Sequence, residues 1–291
     1  MRPSPAGPAR AALASLCAAA VLAAAGPAHA AADTVLTYQF RLGGFDVARA
    51  DLAVDLPEAA GGAYSMTSDL VADGLLGTFT SFTSRSAAAG TLGEADGRAE
   101  PHSFRSDSTW RGEQRTAVLS WQTPPLPEAR VEPPPDPDER EPVPPHLTEG
   151  SVDPLSALLT LIAAATGDAA SGATGDAASG ATGDAASGVA GEPVTVYDGR
   201  RLYRLTVAGF APAAVSAGGF AGEGWRADVR YETLAGTSRR WNSRKEVTAD
   251  VLLAPGETFG LDVPVPVRII VPVKTLGALV VELAGARPGD A

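Results

Sequence analysis

The chain has 291 residues, with 23 Lys+Arg against 34 Asp+Glu for a net charge of −11, and 45% of positions are apolar. That suits one ordinary globular domain or two small ones. Only two lysines occur, Lys245 and Lys274, so the chain lacks the broad basic surface needed to neutralise many phosphates, and nucleic-acid binding is set aside as a main role. The lone cysteine, Cys17, falls in a segment expected to be removed, which excludes thiolate catalysis, disulfide exchange and thiolate-bound metal.

Residues 1–30 read as a signal peptide. Arg2 and Arg10 supply the positive start, Ala11 to Ala25 the apolar stretch, and Ala28-His29-Ala30 the small residues of a cleavage site, with cleavage expected after Ala30. The apolar run is shorter than the roughly 20 residues that cross a bilayer, and Gly26-Pro27 ends it. Lipid attachment at Cys17 is disfavoured because Leu16 precedes it and the apolar run continues beyond it. The expected location is therefore periplasmic or secreted, with no transmembrane segment in the mature chain.

From residue 31 a single β-rich domain is expected. Leu36, Tyr38, Phe40 and Leu42 alternate with polar residues, and Ala48 to Leu56 continues the alternation after a Gly43-Gly44 hairpin turn. Further strands are expected at Ala63 to Val71, Thr78 to Thr83, Ser103 to Trp110 and Thr116 to Trp121, with Arg111-Gly112-Glu113 as a turn. Residues 122–150 hold ten prolines in 29 positions, which fixes φ repeatedly and predicts an extended surface segment. A helix then opens at Asp153, an N-cap, followed by Pro154 and by Leu155, Leu158, Leu159 and Ile162 on one face. Three octapeptides beginning at Thr166, Thr174 and Thr182 cannot bury a core and are expected to form a flexible insertion over 166–190. Strands resume with Tyr203, Leu205 and Val207, then Trp225 to Glu232, Val247 to Leu253, Val263 to Val273 and Leu279 to Leu283.

Signatures of catalysis are missing: there is no Gly-x-Ser-x-Gly elbow, no His-Glu-x-x-His and no phosphate-cradling glycine loop before a lysine. His102 and His146 stand apart, each next to a proline, and read as loop histidines. No catalytic residue, metal site or cofactor is assigned, and the chain is read as a non-enzyme. One charge feature stands out. In 239–245 four cations surround Trp241 and Asn242; as a strand, Arg240, Asn242 and Arg244 would share a face able to hold a carboxylate or phosphate. The ordinary alternative is a solvated strand face with Trp241 in the core.

Val152-Asp153-Pro154-Leu155-Ser156 after a Pro-rich stretch, then Tyr197-Asp198-Gly199-Arg200-Arg201-Leu202-Tyr203, resemble the bacterial exported family known as domain of unknown function 3108 (DUF3108). Tyr38 with Gly43-Gly44 is similar to the start of that family. The resemblance implies a β-rich envelope protein and no particular activity. Read from the residues themselves, Asp153 is a cap and Asp198-Gly199 a turn, so Asp153, Ser156, Asp198, Gly199, Arg200 and Tyr203 are expected to be structural.

The expected architecture is mainly β: an antiparallel curved sheet or incompletely closed β-barrel with one packed helix. The leading expectation is a non-catalytic binding module for a lipid or other amphiphile, its anionic head held by Arg240, Trp241, Asn242 and Arg244. The alternative is a periplasmic scaffold that binds an envelope protein partner through its sheet edges or the segment 122–150. A packed interior favours the scaffold, and a continuous apolar pocket the carrier.

Overall fold

The structure is a computed structural model that describes residues 33–57, 61–74, 77, 81–94, 97–122, 125–172, 192–238, 246–273 and 276–289, with the helical backbone alone for 165–172. Residues 1–30, expected as a signal peptide, lie outside this set. The first half runs β1 (Thr34–Leu42), β2 (Phe45–Asp55), β3 (Ala63–Ala72), β4 (Phe82–Leu92), β5 (Ala99–Trp110), β6 (Glu113–Ser120) and β7 (Glu128–Glu132). Helix α1 (Pro154–Gly172) follows, then β8 (Val194–Tyr197), β9 (Leu202–Ala217), β10 (Phe220–Ala235), β11 (Glu246–Ala254), β12 (Val265–Val273) and β13 (Gly277–Pro288).

These strands form one 13-stranded sheet in the order β7-β6-β5-β4-β3-β2-β1-β13-β12-β11-β10-β9-β8, and every ladder in it is antiparallel. Consecutive strands pair within β1–β7 and within β8–β13, and β1 pairs with β13 and brings the two halves together. The side-chain alternation decides which face is inside. Leu36, Tyr38, Phe40 and Leu42 on β1, then Ala48, Ala50, Leu52 and Val54 on β2, are buried, while Thr37, Gln39 and Arg41 lie outside. Three hairpins are closed by paired positive-φ residues, Gly43 with Gly44, Arg111 with Gly112 and Gly218 with Gly219, the twist that two-residue hairpin loops require.

The sheet is not closed by hydrogen bonds, because β7 and β8 stand at opposite edges of the order. Their surroundings nevertheless meet. Gly199, in the turn between β8 and β9, lies so close to β6 and β7 that a methyl group there would fall 2.9 Å from Ala117 Cβ and 3.2 Å from Val131 Cγ2. Val152 makes a parallel bridge to Val196, donating to the Thr195 carbonyl at 3.0 Å and accepting from Tyr197 N–H at 2.9 Å. The curled sheet thus has a seam between its edges, fastened by the segment that connects them.

Three departures from the sequence reading have physical causes. The fourth strand spans Phe82–Leu92 and shares only Phe82 and Thr83 with the expected Thr78–Thr83, of which residues 78–80 lie outside the described residues; its inward residues Ser84, Ser86, Ala88 and Gly90 are small, so apolar alternation is faint and pairing with β3 and β5 defines the strand. Part of the Pro-rich segment joins the sheet, because Glu128–Glu132 has no proline and can complete a ladder with β6. Helix α1 continues to Gly172, through most of the first octapeptide, where alanines favour the helix already begun at Asp153. The rest of the octapeptide array lies outside the described residues.

Candidate functional site

The interior of the curled sheet is the first place to look for a ligand. Phe40, Met66, Leu70, Phe104, Leu119 and Leu283 are among its largest fully buried side chains, and α1 adds Leu155 and Leu159. Between α1 and strands β1, β2 and β12 a cleft of about 20 Å³ remains, lined by Tyr38, Met66, Leu158, Ile162 and Val265 among others. That volume holds about one water molecule, far below what a small-molecule pocket of several hundred Å³ provides. The inner face is not wholly apolar: Ser68, Ser84, Ser86 and Ser106 are buried side by side on β3, β4 and β5. Their small side chains leave room for the aromatic and aliphatic groups opposite.

The motif residues gather in two clusters at the seam. In the first, Asp153 is fully buried at the start of α1, and its Oδ1 accepts from Leu155 N–H at 2.9 Å and Ser156 N–H at 3.0 Å. These are donors that a helix start leaves without intrahelical partners. Asp153 Oδ2 accepts from Ser156 Oγ, which also meets Tyr64 Oη at 2.5 Å, so a hydrogen-bonded chain ties α1 to β3. Thr160 extends it, donating to the Ser156 carbonyl at 3.0 Å and accepting from Ala99 N–H on β5 at 3.2 Å. Burial pushes the Asp153 carboxyl up to about 6, against the hydrogen bonds from Ser156 and Leu155 that hold it down. Tyr64 is also pushed up, by burial first and the Asp153 charge second, and stays a neutral phenol. Ser156 is fully buried between the Asp153 carboxylate and the Tyr64 phenol, and the cluster braces the start of the helix against β3.

In the second cluster, Asp198 Oδ1 accepts from Arg200 N–H at 2.8 Å and Arg201 N–H at 2.6 Å, shaping the turn that Gly199 completes at φ +86°. Arg200 Nη2 crosses the seam to the carbonyls of Glu132 at 3.1 Å and Pro133 at 2.8 Å. Tyr203 is buried against Tyr231 with ring centroids 4.9 Å apart, and burial raises its phenol further than the Asp198 charge does. Sequence reasoning missed the long-range partners of these clusters: Tyr64 on β3, Trp121, whose Nε1 donates to the Ser151 carbonyl at 2.9 Å, and Arg140, whose guanidinium donates to the Gly236 carbonyl. No local pattern marks them, since each contact joins residues far apart in the chain.

Arg240, Trp241, Asn242 and Arg244, expected to hold an anionic head group, lie outside the described residues. Among the described residues, no three His, Cys, Asp or Glu side chains are grouped to hold a metal ion, and no helix is long and apolar enough to cross a membrane.

No family model and no curated protein matches the chain. Among solved structures, it is similar to a β-barrel-like protein of domain of unknown function DUF1849 from Brucella abortus, at 11% identity and a TM-score of 0.48 over 90% of this chain and 100% of that one. A candidate lipoprotein from Parabacteroides distasonis ATCC 8503 aligns at 10% identity and a TM-score of 0.34, over 88% of this chain and 95% of that one.

Proposed function

We propose that this chain is an exported, non-catalytic protein of the cell envelope that acts through its outer surface, as a scaffold for a protein partner. The single observation that carries the reading is the packing of the described interior: the sheet curls over its own side chains and α1, and the cleft between α1 and β1, β2 and β12 admits about one water. A carrier encloses most of its ligand's apolar surface, and a cleft of that volume does not take an acyl chain, which supports the scaffold over the carrier. The signal-like residues 1–30 support export. Edge strand β7 is held at the seam by Arg200 at its Glu132 end, and its opposite end, with Glu128, Ala129 and Arg130 exposed, supplies a place for strand addition by a partner.

The test is to purify the exported chain under native conditions, extract it with organic solvent and identify what is released by mass spectrometry. The expected result is a protein free of bound lipid. A stoichiometric amphiphile in the extract would overturn the scaffold reading and restore the carrier.

A further inference from the structure

The chain is acidic overall, yet four arginines converge where the seam meets solvent. Arg200 and Arg201 stand in the turn shaped by Asp198. Arg140 arrives from the Pro-rich connection, bridging its main chain to Ser238 and giving a guanidinium N–H to the Gly236 carbonyl. Gly236 in turn lies against the turn: a Cβ there would fall 2.3 Å from the Arg200 carbonyl oxygen and 2.8 Å from Arg201 Cα. The Arg140 guanidinium is therefore delivered beside Arg200 and Arg201. Arg115 completes the group from β6; it adjoins Thr116, which pairs with Glu132, whose carbonyl receives Arg200.

The opposing charge is small. Asp198 is the one carboxylate that supports the protonated state of both Arg140 and Arg200, and its Oδ1 is occupied by two main-chain N–H groups. Arg115 has Glu113 at 3.4 Å, an exposed pair that water screens. Arg140 and Arg200 make no ion pair with any described residue, and their side-chain hydrogen bonds go to carbonyls, which carry no formal charge. Both hold their protons less tightly than usual, through burial first and the neighbouring guanidinium groups next. Both are half-buried, so the repulsion between them is only partly screened, while Arg115 remains open to solvent. Planar cations from three segments, with Arg201 also hydrogen-bonded to the Tyr231 side chain, gather around one carboxylate whose Oδ1 is already taken, and such a group matches a multiply charged oxyanion better than a single carboxylate ligand.

We infer that Arg115, Arg140, Arg200 and Arg201 form a binding site for a phosphate-class oxyanion, whose source is either free phosphate or the phosphodiester head group of an anionic lipid. Such a site lies outside the packed interior and does not depend on the scaffold reading. Bound there, the anion would draw β6, the Pro-rich connection and the β8–β9 turn together, and so tighten the seam.

The test uses the full exported chain. Inorganic phosphate is titrated by calorimetry at low ionic strength, and vesicles of phosphatidylglycerol in phosphatidylcholine are compared with phosphatidylcholine alone by co-sedimentation. Binding is expected to weaken by about tenfold or more in Arg140→Gln and Arg201→Gln, and to survive in part in Arg140→Lys, which keeps the charge but not the planar fork. Arg226→Gln, which removes an exposed ion pair with Asp250 on β10, is expected to leave binding unchanged. Arg115→Gln keeps the test decisive if the half-buried variants fail to fold, because that side chain is exposed and fastens nothing across the seam. Arginine-dependent binding of phosphate identifies the free anion, and arginine-dependent binding of anionic vesicles alone identifies the head group. No binding of either probe, or binding that ignores all the seam variants, overturns the site.

Discussion

Asp153 and Asp198 make the same local contact in two different settings. Each gives one carboxylate oxygen to the main-chain N–H groups two and three residues ahead. From Asp153 the chain continues as a helix, because Pro154 and the leucines that follow favour it and α1 has a core to enter. From Asp198 it continues as a strand, because Gly199 adopts positive φ and Leu202 then joins both β8 and β10. The second setting differs as much as the first is alike. Asp153 is walled in, its other oxygen bound to a neutral hydroxyl, whereas Asp198 sits among arginines at the rim of the seam. One hydrogen-bond pattern thus serves two purposes, and the surroundings decide the energetics.

The largest expected effect separates the two directly. Asp153→Ala would strand two buried N–H groups and the Ser156 hydroxyl, at a cost of about 3–5 kcal/mol of folding stability. Asp198 is also buried, at 5% exposure, but the two N–H groups it accepts from belong to the half-buried Arg200 and Arg201, and Asp198→Ala is expected to cost less, about 1–2 kcal/mol. Urea denaturation of both variants at pH 4.5 measures the difference. Equal losses would mean that the interior position of Asp153 carries no extra weight.

A second experiment uses pH to isolate the burial of Asp153. Its carboxyl is pushed up to about 6 in the fold, against an ordinary value near 3.8. The folded state therefore holds a proton that the unfolded chain has already released. Stability from this group is fully present below about pH 4 and is lost as pH rises through 6. The loss amounts to at most about 3 kcal/mol. Asp153→Asn keeps the acceptor for Leu155 and Ser156 but cannot ionise. It is expected to match the parent near pH 4 and to gain on it by up to that amount at pH 7. A constant difference between the two proteins across this range would contradict the cause assigned to the shift.

Much of the fold was legible before any coordinates, and the reason is visible strand by strand. β1 and β2 have one polar and one apolar face, so Leu36 to Val54 announces itself through a period of two. The antiparallel curled sheet with a helix packed in it follows from such strands joined by tight turns. β4 was blurred because its inner face is built of serine, alanine and glycine, and β7 was hidden among prolines that surround it without entering it. The seam was legible only in halves. Asp153 and Asp198 declared their caps and turns through local spacing, but Tyr64, Trp121 and Arg140 meet their partners across 92, 30 and 96 residues of chain. Contacts of that kind depend on how far the sheet curls, which no periodicity records.

The smallest expected effect tests whether the Asp153 cluster acts as a chain of hydrogen bonds or as a set of separate pairs. Ser156 Oγ donates to Asp153, so Tyr64 Oη is left to donate to Ser156 and thereby supports the acceptor of a buried charge at one remove. Tyr64→Phe removes that support and nothing of the ring packing in the core. About 1 kcal/mol of stability is expected to go, because Ser156 keeps its bond to Asp153 and loses only an incoming donor. If the bonds reinforce one another, the effect reaches further than the lost pair: with a weaker donor in Ser156, the Asp153 carboxylate is less well held and its titration moves to higher pH. The decline in stability would then start near pH 4 as in the parent but run on to higher pH in Tyr64→Phe. An unchanged pH profile with the same loss at every pH would reduce the cluster to independent contacts, and Asp153 would differ from Asp198 by burial alone.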